Sequence, residues 1–361
     1  MKALVVNGLG RGFDLEDVEI AEPEGREVLL DVRASGLCHT DILFATHNIV
    51  PFPTVLGHEV AGVVTKLGPG VTQFQVGDHV VGSLNQFCGT CARCLSGRPF
   101  QCLHPEATLR RPSDPPRLSR KGLPLSQGFG LGGFAEQALV HENQLVLVPE
   151  ALPFPQAALL GCGVVTGAGS VLNTANVSAG ESIVIFGAGG VGLNAVSGAK
   201  LAGATRIICI DVQPKRLAEA RRFGATDVIN SQESDPVEAV RTLLPHGADH
   251  VFDFVGQQIV SEQGLTMLAA GGGLYLVGVA RPEVDLSLNI IGAIGGQKRV
   301  VGVNYGSSIA KRDIPMYADL YLQARMNLDD LVSKEISLSE VNEGYAALKG
   351  GSLNRVVVTS F

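Results

Sequence analysis

From Ser182 to Val303 short apolar runs alternate with helix-forming stretches, and this alternation constrains the fold more than anything else in the chain. The runs are SIVIFG (182–187), RIICI (206–210), DVIN (227–230), HVFDFVG (250–256), GGLYLVG (272–278) and RVVGV (299–303). Helical patterns fall between them, at about 190–202, from Pro214 to about Phe223, near 235–244 and near 258–269. Strand after helix after strand is the mark of a doubly wound parallel sheet. Pro214 suits a first helical turn, and Gly224 the position just past a helix end.

Residues 1–150 have a different texture. LLDVRA (29–34), VAGVVTKLG (60–68), DHVVGSL (78–84) and QALVHENQLVLVP (137–149) read as short strands punctuated by glycine and proline, as in a β-rich unit. A polar, proline-rich stretch, 104–127, reads as a long loop or mobile insertion. The tail, 310–361, has helical patterns near 314–326 and 338–349 and a last strand, RVVVTSF, which is expected to fold back onto the first unit. The fold class expected is α/β, a β-rich unit joined to a doubly wound parallel-sheet unit.

Composition removes other classes. A chain of 361 residues holds two or three domains, and with 45% apolar residues it buries enough surface to order itself. Net charge is −7, against what a phosphate-backbone binder needs, so no nucleic-acid partner is expected. Residues 151–180 and 182–199 carry no Asp, Glu, Lys or Arg. The first of these stretches contains Pro153, Pro155, Asn173 and Asn176, and glycines break both. A buried parallel sheet gives the same hydropathy as a membrane span, so no membrane partner is expected either. Seven cysteines, an odd number, argue against a disulfide framework. The opening MKALVVNGLG lacks a signal-peptide core, and the expected compartment is the cytoplasm.

Three groups of residues carry chemistry. Cys88, Cys91, Cys94 and Cys102 are spaced C-x2-C-x2-C-x7-C, which closes a tetrahedral zinc site with no open position. An iron–sulfur cluster is the competing occupant. It ranks lower because a second set, Cys38 in GLCHTD, His58 in GHE and Cys162 in GCG, also suits zinc. Two sulfurs and one imidazole leave the fourth position open for a substrate oxygen. Asp41 and Glu59 lie next to these ligands in sequence, where a carboxylate can orient an imidazole or balance the metal's charge. The Thr40 hydroxyl is placed to relay a proton. The third group is G-A-G-G-V-G, with Gly187, Gly189 and Gly192 at the G-x-G-x-x-G positions between a strand and a helix. That context makes it a dinucleotide site. Asp211 follows Gly192 by 19 residues and would accept the ribose hydroxyls, favouring NAD over NADP, a preference softened by Arg216.

Together these residues resemble the zinc-dependent medium-chain alcohol dehydrogenase family, over essentially the whole chain. The resemblance implies a GroES-like catalytic domain from residues 1–163 and 305–361, with a structural-zinc lobe near 86–103, and a Rossmann domain over 164–304. It implies two zinc ions per subunit, one held by Cys38, His58 and Cys162 with Glu59 as alternate ligand, the other by the four lobe cysteines. Thr40 falls on the hydroxyl that bonds the substrate oxygen, and Asp41 behind the zinc ligands. The implied cofactor set is His39, Thr166, Gly187, Gly189, Gly190, Val191, Gly192, Asp211, Arg216, Val277 and Arg355, with His39 and Arg355 meeting the pyrophosphate. The stretch 104–135 resembles the long-loop branch, typically dimeric, with a tetramer the alternative.

Two departures bear on activity. Leu43 stands where many relatives end a proton relay with histidine, and His47 does not match that position. The arginine that glutathione-dependent relatives carry after the lobe has no clear match; Glu106 falls about there, with Arg110 and Arg111 beyond. The expected function is hydride transfer between NAD and a primary or secondary alcohol, bulky or aromatic, giving aldehyde or ketone. The alternatives are a polyol or thiol-adduct formaldehyde dehydrogenase, and a non-catalytic zinc- or nucleotide-binding protein.

Overall fold

Ser182–Phe186 is buried at every position, because it sits in the middle of a sheet covered on both faces. In the computed structural model, which describes residues 1–281, 283–351 and 353–361, this strand is parallel to Arg206–Asp211 on one side and Ala248–Asp253 on the other. Asp227–Asn230, Leu268–Leu276 and Arg299–Gly302 complete six parallel strands, which in chain order stand 3-2-1-4-5-6 across the sheet. The order reverses between the first and fourth strands, where open α/β sheets receive ligands at the strands' carboxyl ends.

Helix Gly190–Ala202 is stopped by Gly203, whose φ of 82° is left-handed. Pro214 opens helix Pro214–Phe223, and Gly224 ends it. Val184, Ile208, Val251, Leu265 and Leu274 are the centre of this unit's core. The unit runs Gly163–Ser308.

The other unit comprises Met1–Cys162 and Ile309–Phe361. Its long strand, Glu27–Gly36, pairs antiparallel with Glu59–Leu67, Gln137–His141 and the final strand Arg355–Ser360. Leu4, Leu37 and Phe134 share a core with Ile336, Val341 and Val356, so both chain ends build one hydrophobic interior. Their burial is worth roughly 2 kcal/mol per large side chain.

The structure corrects four expectations. The run 137–149 is two strands, Gln137–His141 and Leu145–Leu147, split by the 3-10 turn Glu142–Gln144. The buried Glu142 carboxylate accepts from Arg26 and from the backbone N–H of Thr72 and Gln73, which pins the turn. The stretch 104–127 is neither loose nor strand-free: Leu118–Arg120 and Leu123–Gln127 form a hairpin. Arg110 Nη2 and Arg117 Nε both bond the buried Glu27, at 2.6 and 2.7 Å, which clamps the segment. The charge-free stretch after Pro153 is helical rather than sheet. Phe154–Ala175 is long and apolar enough to cross a membrane, but 78% of its apolar window is buried inside the protein. The chain returns to the first unit at Ile309, because Tyr305–Ser307 and Ser308 pack onto the helical segment beginning at Val165; Ser308 Oγ donates to Val165 O at 3.0 Å.

Candidate active site and metal centres

The four lobe cysteines sit on two short turns, Ala92–Leu95 and Pro99–Gln101, and the loops flanking them. Sγ–Sγ separations are 3.5 Å for Cys91–Cys94, 3.6 Å for Cys88–Cys102, 3.9 Å for Cys91–Cys102 and 4.0 Å for Cys88–Cys94. Four zinc–sulfur bonds of about 2.3 Å at tetrahedral angles put sulfurs about 3.8 Å apart, so the thiols fit that ion. Backbone N–H groups of Cys91 and Thr90 donate to Cys88 Sγ, that of Leu103 to Cys91 Sγ, and that of His104 to Cys102 Sγ. The bonds from Thr90 above all lower the Cys88 thiol to about 6, ready to serve as a thiolate.

The second set is assembled from three distant segments. Cys38 caps helix His39–Thr46 directly after the long strand. His58 and Glu59 follow Gly57, whose φ of 92° requires glycine and where a Cβ would lie 2.6 Å from Phe134 N. Cys162 projects from the π-helical turn Leu160–Val164; one extra residue per turn is often found at functional sites. The ligand atoms of Cys38, His58, Glu59 and Cys162 all lie within 4.8 Å of one another, and all four residues are buried.

Asp41 fixes the imidazole. Its Oδ1 is 3.0 Å from His58 Nδ1 and also accepts from Gly57 N–H at 3.0 Å. With Nδ1 donating to Asp41, Nε2 is turned toward the sulfurs as a lone-pair donor, and it has no hydrogen-bond partner among the described residues. A hydrogen bond from the Cys162 thiol pulls Cys38 well below the usual thiol range, while the same contact and burial push Cys162 up. Burial opposes charge on His58, but Asp41 and the Cys38 thiolate outweigh it and raise the imidazole. Burial lifts Glu59 to about 7, against the pull of Arg355 3.5 Å away. Anionic sulfur, an orphaned ring nitrogen and a buried carboxyl together call for a cation.

The helix His39–Thr46 lays Thr40 and Phe44 on one face, four residues apart. Thr40 Oγ1 is 3.7 Å from Cys38 Sγ. His47, at the exposed end, holds its Nδ1 within 3.2 Å of Leu43 O and 3.1 Å of Thr46 Oγ1. Three neighbours escape the sequence reading. Tyr345 is buried with its hydroxyl 3.4 Å from Asp41 Oδ2 and 3.3 Å from Cys38 O. Phe129 lies with its ring 5.1 Å from the His58 ring and stacked at 4.8 Å on Phe44. Its φ of 53° costs a non-glycine residue about 1–2 kcal/mol. Only the flanking glycines in G-F-G hint at that turn.

In the other unit, Gly187 turns the chain at φ 92° and Gly189 caps helix Gly190–Ala202. A Cβ at Gly192 would lie 1.9 Å from Gly187 O, so helix and strand can approach only through glycine. Val191 lies in that first turn. Asp211 is not a helix cap. Its Oδ2 accepts from Ala188 N–H at 2.8 Å and its Oδ1 from Gln213 N–H at 2.9 Å, with Arg216 Nη1 3.9 Å from Oδ2. Val277 N–H bonds Asp253 O at 2.9 Å, and Thr166 lies half-buried in helix Val165–Gly169. His39 is exposed, whereas Arg355 is buried against Glu59.

Residues 24–150 match the model of the alcohol dehydrogenase GroES-like domain, and 190–323 that of the zinc-binding dehydrogenase. Along 99% of its length the chain is 36% identical to the NDMA-dependent alcohol dehydrogenase of Amycolatopsis methanolica, covering 98% of that protein. The chain belongs to the zinc-dependent medium-chain alcohol dehydrogenase family. A second member, the S-(hydroxymethyl)glutathione dehydrogenase of Paracoccus denitrificans, is 34% identical with 99% of each chain covered. Among solved structures, benzyl alcohol dehydrogenase from Acinetobacter calcoaceticus superposes with a TM-score of 0.93 at 34% identity, covering 100% of this chain and 99% of that one. As a family member the protein is an oxidoreductase with zinc and NAD as cofactors.

Proposed function

We propose that the protein oxidises alcohols to aldehydes or ketones, and reduces them back, with Cys38, His58 and Cys162 holding the catalytic zinc. The observation that carries this reading is the orphaned His58 Nε2 facing two buried sulfurs beside the Thr40 hydroxyl. Held by Cys38, His58 and Cys162, a zinc ion would supply a Lewis acid for the alcohol oxygen, and NAD held at the glycine turn would supply the hydride acceptor. Thr40 accepts the hydroxyl proton while passing its own to water, since Leu43 offers no acceptor. Asp41 keeps the imidazole in the ligating tautomer. Glu59, paired with Arg355, is the spare carboxyl of the set. Cys88, Cys91, Cys94 and Cys102 hold a second zinc that organises their lobe.

The glycine turn at 187–192 takes the pyrophosphate at a helix N-terminus, and Asp211 takes the adenosine ribose. Asp211→Gly is expected to raise NADP use relative to NAD by about tenfold or more, read from the two kcat/KM values. A thiol-adduct substrate is disfavoured, because it carries carboxylates and the arginines that follow the lobe in sequence are engaged: Arg110 and Arg117 on Glu27, Arg111 on Asp114.

A homodimer fits the second unit. Arg299–Gly302 is an edge strand, and Ile290, Ile291 and Ile294 are each at least 70% exposed near it in sequence. Sedimentation at two protein concentrations measures this. Seven unpaired cysteines suit the cytoplasm.

The deciding experiment is a panel of short, branched, aromatic and polyol alcohols, and formaldehyde with thiols, with NAD and NADP. Nicotinamide absorbance is followed before and after zinc removal. Alcohol-dependent, zinc-dependent reduction of NAD is expected. Turnover that survives complete zinc removal overturns the reading.

A further inference from the structure

The Asp41 carboxylate is 1% exposed, and its two oxygens are reached from opposite ends of the chain. Oδ1 accepts from His58 Nδ1 and from Gly57 N–H, both at 3.0 Å. Among the described residues, the donor that reaches Oδ2 is the Tyr345 hydroxyl, at 3.4 Å. The same hydroxyl stands 3.3 Å from Cys38 O, which also accepts from Asp41 N–H at 3.1 Å. One proton shared between two acceptors accounts for separations longer than an ordinary O–H···O bond. Tyr345 thus meets the backbone of one proposed ligand and the carboxylate that orients another.

Packing that does not involve its oxygen seats the ring. Phe13 stacks on Tyr345 at 5.3 Å with 14° between the planes, and Phe134 presents an edge at 6.4 Å. Asn342, one turn earlier on helix Val341–Lys349, brackets Phe13 by donating to its carbonyl at 2.8 Å and accepting from its N–H at 3.1 Å. Gly344 lets that helix approach closely, since a Cβ there would lie 2.8 Å from Leu37 Cδ2 and 2.9 Å from Ile336 Cδ1. A phenylalanine would fill this seat equally well. A hydroxyl set among apolar side chains costs free energy unless it is bonded, so the bond it makes is what distinguishes tyrosine here.

We propose that Tyr345 is a positioning residue for the buried metal centre, its hydroxyl fixing the plane of the Asp41 carboxylate and through it the direction of His58 Nε2. A carboxylate held at one oxygen can turn about its Cβ–Cγ bond, whereas one held at both cannot. Turning carries Oδ1 off the imidazole N–H, and the ring loses the bond that keeps Nε2 as the ligating nitrogen. The returning C-terminal segment thereby takes part in metal binding without supplying a ligand. This inference rests on the proposed zinc site of Cys38, His58 and Cys162 and adds a residue to it; the identity of the alcohol does not enter.

The test is zinc affinity by chelator competition on the full chain, in wild type, Tyr345→Phe, Asp41→Ala and the double variant. Lobe zinc is the internal standard. Tyr345→Phe is expected to weaken the buried zinc about tenfold, with lobe zinc and circular dichroism unchanged. In the Asp41→Ala background the same substitution should cost little, because the hydroxyl acts through the carboxylate. A merely structural role would give equal losses in both backgrounds, and that outcome overturns the proposal. Where Asp41→Ala fails to fold, cobalt(II) in the buried centre beside lobe zinc decides. Visible bands shifted in Tyr345→Phe sustain the proposal, and bands equal to those of wild type overturn it. Wild-type affinity in Tyr345→Phe, or loss of its fold, overturns it while leaving the zinc site standing. A wild-type chain that holds zinc at the lobe alone overturns the zinc-site reading, and this inference with it.

Discussion

The two cysteine-bearing centres are built in opposite ways. The lobe gathers four sulfurs from fifteen consecutive residues, Cys88 to Cys102, all partly exposed and fed by local N–H···S bonds. The other centre draws Cys38, His58 and Cys162 from a strand end, a glycine turn and a π-helical turn, and all three are buried. A local centre organises its own loop; a centre drawn from three elements is organised by the fold. The first therefore depends on its metal, and the second on its neighbours.

The largest effect expected of that difference is on turnover. Cys162→Ala should reduce kcat/KM by about 10⁴-fold or more, since three ligands and a substrate position cannot be met. Zinc analysis should then fall from two ions per chain to one, with circular dichroism unchanged. Loss of both ions would show that the centres are not independent. Next is Asp41→Asn, expected to weaken zinc at the buried centre about 10–100-fold and at the lobe not at all, as read by chelator competition. Cys94→Ser should do the converse, lowering the melting temperature by several degrees while the buried zinc stays. A melting curve like that of wild type would contradict the lobe's dependence on metal.

The smallest effect is a pH dependence away from both cysteine-bearing centres. His141 Nδ1 accepts from Asn143 N–H at 3.1 Å, and burial with Arg26 and Arg117 nearby lowers the ring to about 4. The fold therefore holds this histidine neutral where the unfolded chain, near 6.5, already binds a proton. Stability is lost as pH falls from about 6.5 to 4, by at most about 3 kcal/mol, and is unaffected above. Melting temperature against pH, with His141→Gln flattening the acid limb, measures it.

Legibility follows the same division. The lobe could be read from spacing alone, and so could the strand–glycine–helix element, because each is a local pattern. The parallel sheet announced itself because both its faces are buried, which turns burial into continuous apolar runs such as Ser182–Phe186. The buried donor set was legible only as scattered residues joined by a resemblance. What packs behind it was not legible: Tyr345 on Asp41, Arg355 on Glu59 and Phe129 on His58 are contacts between residues 71 to 304 positions apart, or carry a strain no pattern encodes. The break at Glu142–Gln144 was missed for the same reason, since its cause is a buried carboxylate bonded to Arg26 and to the backbone of Thr72 and Gln73.

The π-helical turn at Leu160–Val164 has a consequence for how the chain tolerates change in length. A regular helix advances about 100° per residue, and the wide turn absorbs one residue of surplus. Deleting Gly161 would let the helix close into its ordinary ladder and swing the downstream side chains around the axis by about that angle. The thiol would then point away from His58 with every hydrogen bond of the helix intact. Gly161 also tolerates no side chain, since a Cβ there would lie 2.2 Å from Gly82 O, so the segment's length and its glycine are as much a part of the candidate centre as its cysteine.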